Sequence, residues 1–141
     1  WERMYYSFTW YAWKKVYNGK GKILWSGSYY MTENQTATLS EKVSEQSSGI
    51  VLVFSRYVDG AAQNYGINSF FVSKMLVSEQ EGKGNVFTLN SSAIFGVLAA
   101  KYLYLHDDKI TGNAENNASG TASSGITYNN AGFVLRYVIG V

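Results

Sequence analysis

Ser48-Gly49-Ile50-Val51-Leu52-Val53-Phe54 decides the fold class. A Ser-Gly turn signal opens directly into a short apolar run whose residues are mostly β-branched or aromatic. Such a run is too short for a stable helix and suits a strand buried on both faces or one in the core of a sandwich. Similar phrases occur further along. Val86-Phe87-Thr88-Leu89 stands between Gly84-Asn85 and Asn90-Ser91, and Phe133-Val134-Leu135-Arg136-Tyr137-Val138-Ile139 follows Asn129-Asn130-Ala131-Gly132. Each reads as a strand closed by turn residues.

The remaining segments are less uniform. Ile67 to Val77 alternates poorly, with Phe70-Phe71 and Met75-Leu76 side by side, so a bulge or burial on two faces is expected there. Leu98 to Leu105 has an Ala99-Ala100-Lys101 centre that favours a helix running from Ala93, but its Tyr-Leu alternation and Gly96 favour a strand, which is the reading taken. Trp10, Trp13, Val16 and Tyr17 fit helical and strand spacing equally. Asn18-Gly19 is a strong hairpin signal, which would pair Trp13–Tyr17 with Ile23–Trp25. Ser40 to Gln46 reads as a connection, and Thr111 to Asn130, rich in Asn, Gly, Ser and Thr, as a long polar loop or lobe. Ten or so short strands with no change of composition regime give one all-β domain, an antiparallel β-sandwich or jelly-roll.

Composition narrows the function. The 141 residues are 46% hydrophobic, and a domain of this size removes roughly 70% of its unfolded surface from water. Charged residues are 16% of the chain, against about 25% in an average soluble domain, and aromatics also reach 16%. The net charge of +2 is spread out, with no basic run longer than Lys14-Lys15, so nucleic acid is a poor partner. No stretch reaches the ~18 apolar residues of a membrane span, and none shows signal-peptide order, so membrane insertion is not expected. Cysteine is absent, which excludes disulfides and thiolate metal sites within this chain. Because Trp1 stands first and the last residues look structured, the chain is expected to be the C-terminal piece of a longer protein.

Catalytic constellations are weak. His106-Asp107-Asp108 holds the only histidine, beside carboxylates that could serve acid–base work or a metal. Neighbouring side chains on a strand point to opposite faces, however, so the three converge only across a turn. Glu33, Glu41, Glu45, Asp59, Glu79, Glu81 and Glu115 are raw material for a glycosidase pair, but each lies in solvated, turn-like surroundings. There is no Gly-x-Ser-x-Gly elbow, phosphate loop or zinc spacing, and no cofactor or metal is expected. The Asn-x-Ser/Thr matches at Asn34, Asn90 and Asn117 fit chance in a chain this rich in Asn and Ser.

The aromatic set says more. Neutral glycans are held by stacking apolar sugar faces on Tyr or Trp while amides and carboxylates bond the hydroxyls. Tyr57, Asn64, Tyr65, Asn113, Asn116, Asn117, Tyr128 and Asn129 lie in or beside expected loops and form, with His106 and Asp107, the candidate ligand-binding set. Trp13, Trp25, Tyr102 and Tyr104 are expected in the core or at a subunit interface.

Six stretches carry a resemblance. Leu24-Trp25-Ser26-Gly27-Ser28-Tyr29-Tyr30-Met31 is followed by Gln35-Thr36-Ala37-Thr38-Leu39-Ser40 and then by Gly49 to Ser55. The close runs Tyr102-Leu103-Tyr104-Leu105-His106-Asp107-Asp108-Lys109-Ile110-Thr111-Gly112-Asn113, then Gly125 to Asn130, then Phe133 to Gly140. In order and spacing this resembles the C-terminal receptor-binding head domain of tail-fibre and baseplate proteins from phages and prophages of Gram-positive bacteria. The resemblance covers residues 13–141 as the head and leaves 1–12 as a connection to an upstream stalk. It implies a non-enzymatic homotrimer at the virion tail tip, joined to upstream fibre or baseplate segments. That head would attach the virion to a host cell-wall polysaccharide or teichoic-acid-like polymer. An assembly knob without its own receptor site is the alternative, and a glycan-degrading tail spike a further one. An excess of aromatic surface over what one small core needs is consistent with burial between subunits.

Overall fold

Alternation along the apolar run places Ile50, Leu52 and Phe54 in the core, wholly buried, while Val51 and Val53 between them are half-exposed. In a computed structural model describing residues 21–89, 96 and 98–141, plus the backbone of two short strands nearer the N-terminus, this run is the middle of the longest strand. The strands are β1 (Tyr5–Tyr6), β2 (Thr9–Trp10), β3 (Lys22–Tyr29), β4 (Thr36–Thr38), β5 (Gly49–Val58), β6 (Ala61–Ala62), β7 (Asn68–Ser73) and β8 (Gly84–Leu89). After them come β9 (Ala99–Leu105), β10 (Lys109–Thr111), β11 (Ser119–Thr121), β12 (Thr127–Asn129) and β13 (Phe133–Gly140). One helix, α1 (Lys74–Glu79), and three 3₁₀ turns complete the described residues.

Two antiparallel sheets face each other as a sandwich. The first runs β3-β13-β5, the far side of β5 pairing with β7 over Gly49 to Phe54 and with β6 at Tyr57 and Val58, and the second runs β4-β10-β9-β8. Leu24, Ile50, Leu52, Phe54, Val72, Phe133, Leu135 and Val138 come from the first sheet. They meet Ala37, Leu89, Ala99, Leu103, Leu105 and Ile110 of the second in one core. The outer strands nest like a rolled ribbon, β3 against β13 and β4 against β10, whereas β5-β7 and β8-β9 pair strands close together in the chain. Phe70 bridges the layers edge-on, its ring 6.0 Å from Phe54 and 5.2 Å from Phe87.

Two expectations shift. The irregularity at Ile67 to Val77 is not a bulge: Phe70 and Val72 point inward with Phe71 outward, and the strand then stops at Ser73. The Ser73 hydroxyl accepts the Leu76 N–H at 3.2 Å and caps α1, which accounts for the adjacent Met75-Leu76. The bulge falls in β13, where Leu135 pairs with Phe54 but Tyr137 with Val53, leaving Arg136 as the extra residue. Inward residues are therefore Phe133, Leu135 and then Val138, and Tyr137 is spared burial.

Of the hairpin between Trp13–Tyr17 and Ile23–Trp25, the first arm lies outside the described residues, as do the stretch from Ala93 and most of residues 1–12. Ile23 and Trp25 pair with Ile139 and Val138 of β13. A two-residue hairpin does occur at Asp59-Gly60, both with positive φ (53° and 77°), joining β5 to β6. Nothing lies within 4 Å of a Cβ added at Gly60, so Gly60→Ala meets only the left-handed backbone penalty. It is expected to cost about 1 kcal/mol in urea denaturation.

Candidate functional site

The Asn-rich segment is a folded lobe rather than a loop. Its 3₁₀ turn at Ala114–Asn117 starts from Asn113, whose side-chain oxygen accepts the Glu115 N–H at 3.0 Å. Hairpin β11-β12 follows, and a second 3₁₀ turn at Asn130–Gly132 leads into β13. This lobe closes the edge of β9. Strand β10 pairs with β9 only at Tyr104 and Leu105, so the edge from Leu98 to Tyr102 needs other partners. Asn116 supplies them at Tyr102: its Oδ1 accepts the Tyr102 N–H at 2.6 Å, and its Nδ2 donates to the Tyr102 carbonyl at 2.8 Å. Asn130 Oδ1 accepts the Ala100 N–H at 2.9 Å, while Leu98 and the β12 backbone exchange bonds through Thr127 and Asn129. Two side-chain amides thus stand in for a missing strand.

A second layer of bonds ties the lobe to the end of β3. Met31 is buried with φ at 64°, a strained position for a residue with a side chain, and the Gln35 carboxamide oxygen accepts its N–H at 2.8 Å. In that conformation its carbonyl accepts from Asn113 N–H at 3.0 Å and from Asn116 Nδ2 at 2.6 Å. Beside it, the Lys101 ammonium donates to the carbonyls of Tyr30 (3.1 Å), Asn116 (2.8 Å) and Asn130 (2.7 Å). Burial pushes this amine down to about 7, and the three acceptors, which need its protons, oppose that push.

Around this lobe the candidate residues divide. Tyr57 is half-buried, its ring edge-on to Tyr30 at 5.0 Å. Burial first, and then the hydrogen bond to Tyr57, raise the Tyr30 phenol. Asn64 and Tyr65 lie in the β6–β7 connection, Tyr65 half-exposed and its carbonyl accepting the Arg56 N–H. Asn117 is exposed, and Tyr128 and Asn129 are half-buried on β12. Asn113 spends its side chain on the turn and on the Tyr104 hydroxyl at 3.1 Å. Asn116 is buried with both amide atoms engaged inside the protein, so it holds the fold rather than a ligand.

His106 and Asp107 lie at the other end of β9. From Ala100 to Leu105 the strand advances roughly 17 Å at ~3.4 Å per residue, so they share no site with Asn129. Their contacts are local. Asp107 accepts the Ser44 N–H at 2.7 Å and the Ser44 hydroxyl at 2.9 Å, fixing the connection before β5. His106 Nδ1 is 3.5 Å from Glu81, whose carboxylate also accepts the Asp107 N–H. Among the described residues no three His, Asp or Glu side chains group to hold a metal ion.

No known family, curated protein or solved structure matches the chain. The stretches that carry Tyr57, Tyr65, Tyr128 and Asn129 hold little charge: from Tyr57 to Ser73 the only ionisable acid or base other than tyrosine is Asp59, and from Ile110 to Leu135 it is Glu115, although exposed Glu33 follows closely on Tyr30. Arg56 and Arg136, which flank these stretches, are turned to protein carbonyls, Gly132 at 3.0 Å and Gln63 at 3.1 Å. Such a surface offers aromatic faces and amides for uncharged ligands and little for polyanions. Lys101 and Asn130 carry no sequence signal of their roles beyond being polar residues beside Ala and Gly. Tyr102, expected in the core or at an interface, lies on the outer face over Gly84, 38% exposed.

Proposed function

We propose that this domain is a non-enzymatic attachment module that binds a saccharide at the lobe end of the sandwich, and, on the sequence resemblance, that it serves as the head of a phage fibre recognising host cell wall. The observation that carries the reading is that Tyr57, Tyr65, Asn117, Tyr128 and Asn129 are exposed or half-buried in stretches of the chain with almost no charged residues. The scarcity of cationic side chains in those stretches favours a neutral polysaccharide over a phosphate-rich teichoic acid. Binding of the intact protein to arrayed wall polysaccharides tests it. Tyr65→Ala and Tyr128→Ala are each expected to weaken binding about tenfold, the worth of one stacked ring, with the melting temperature little changed. No binding by the intact protein to any wall fraction would defeat the proposal. These substitutions are preferable to removing Gly112–Ser124, because that segment contains Asn116.

One observation favours an assembly role beside this. Across the outer face of the first sheet Ile23, Ile139, Val51 and Phe71 stand in register on four strands, with Ile23 55% and Phe71 59% exposed. An apolar row of this kind supports burial against further copies of the chain. Mass measurement in solution checks it: a trimer that Phe71→Asp dissociates is expected, and a monomer at all concentrations would remove the oligomeric half of the proposal. A trimer that binds no saccharide would leave only the knob reading.

A further inference from the structure

Lys101 sits in the middle of β9 with its side chain wholly buried, and among the described residues no carboxylate pairs with it. Burying an ammonium without a counter-ion is costly unless every proton finds an acceptor. Here each does. The three protons face three backbone carbonyls, of Asn130, Asn116 and Tyr30, at 2.7 to 3.1 Å, and the Tyr30 ring lies 5.7 Å from the nitrogen. Three donors against three acceptors is the full capacity of this group. The carbonyls come from segments far apart in the chain: the residue after β3, the 3₁₀ turn at Ala114–Asn117, and the 3₁₀ turn at Asn130–Gly132.

We infer that these three carbonyls form an ammonium-binding site which the chain fills with its own Lys101, and that this internal cation locks the Gly112–Gly132 lobe onto the edge of β9. An apolar side chain of equal volume leaves three buried carbonyls facing no donor, and the planar fork of arginine does not match acceptors converging on one point. Neutral partners such as Asn116 and Asn130 satisfy the β9 edge, but among the described residues no side chain other than Lys101 joins all three segments at one atom.

Truncation to alanine gives a direct test, because Lys101→Ala removes three methylenes and the nitrogen, which together are n-propylammonium. Hydrogen exchange is followed at the amides of Ala100, Asn116, Ala118, Asn129 and Asn130, with those of β5 and β13 as reference. The expected result is exchange at least about tenfold faster in the lobe and unchanged in the reference strands, the loss of one buried bond being worth that factor. Addition of n-propylammonium chloride should restore slow exchange, and 1-propanol or sodium chloride should not. Equal rescue by 1-propanol would overturn the inference, since shape rather than charge would then be filling the site, and so would an unchanged lobe. Should the alanine variant fail to fold, Lys101→Met keeps the stem. It is expected to show the same selective loss with no response to either additive, and lobe exchange like that of the unaltered protein would overturn the inference.

Discussion

Asn116→Leu is expected to lower stability by about 3–5 kcal/mol, as read by urea denaturation, although leucine is close to asparagine in size. The substitution takes nothing from a surface. It strips the Tyr102 N–H of its acceptor, the Tyr102 carbonyl of its donor, and the Met31 carbonyl of one of its two donors. Each buried group left without a partner costs roughly 1–3 kcal/mol, and the Met31 oxygen, which keeps Asn113, stands at the low end. Asn116→Asp retains one acceptor but turns a carboxylate oxygen toward two carbonyls. It should therefore be as damaging at neutral pH and partly recover in acid, where a protonated carboxyl donates once. The neighbouring Asn117→Leu, at an exposed position, should change stability by no more than about 0.5 kcal/mol. Were Asn116→Leu and Asn117→Leu to behave alike, side-chain closure of the β9 edge would be the wrong account of the lobe.

This contrast also shows what could be read from the sequence. Strands β5, β8 and β13 are legible because each is a short run of mostly β-branched and aromatic residues bounded by turn residues, too short for a stable helix. The choice of strand over helix for Leu98 to Leu105 rests on Tyr-Leu alternation, which outweighs Ala99-Ala100-Lys101. The slip in β13 is not visible, since Val134, Leu135, Tyr137, Val138 and Ile139 are all apolar and either phase offers an inward face. Helix α1 escapes because six residues leave no period to detect and its cap, Ser73, also ends a strand. The Asp59-Gly60 turn carried a plain signal that Asn18-Gly19 overshadowed. Asn113, Asn116, Asn117 and Asn130 look alike in a polar segment. Only the position of an unpaired strand edge, set by β10 ending at Thr111, separates those that face protein from those that face water.

The severest single change expected is Gly112→Ala, with a loss above about 4 kcal/mol and a lobe that no longer docks. A Cβ at this position would overlap the Met31 carbonyl oxygen and carbon, and it would lie 2.8 Å from the Thr32 oxygen. These are backbone atoms, so no side-chain rotation relieves the clash. Met31 cannot retreat without giving up its left-handed conformation, the Gln35 bond to its N–H, and the bonds its carbonyl accepts from Asn113 and Asn116. The adjacent Tyr30 carbonyl, one of the three acceptors of Lys101, moves with it. Such collective loss belongs to the small class of exceptional destabilisations. Gly125→Ala, in the tip of the β11-β12 hairpin at φ 83°, meets nothing within 4 Å and should cost only about 1 kcal/mol. Thermal melts of the two variants check the difference. Because Tyr128 and Asn129 are carried on the docked lobe, Gly112→Ala should also abolish saccharide binding at temperatures where the two sheets still hold, while Gly125→Ala leaves it intact. A Gly112→Ala protein that bound as before would show that the proposed surface lies off the lobe, and that Tyr57 and Tyr65 act without it.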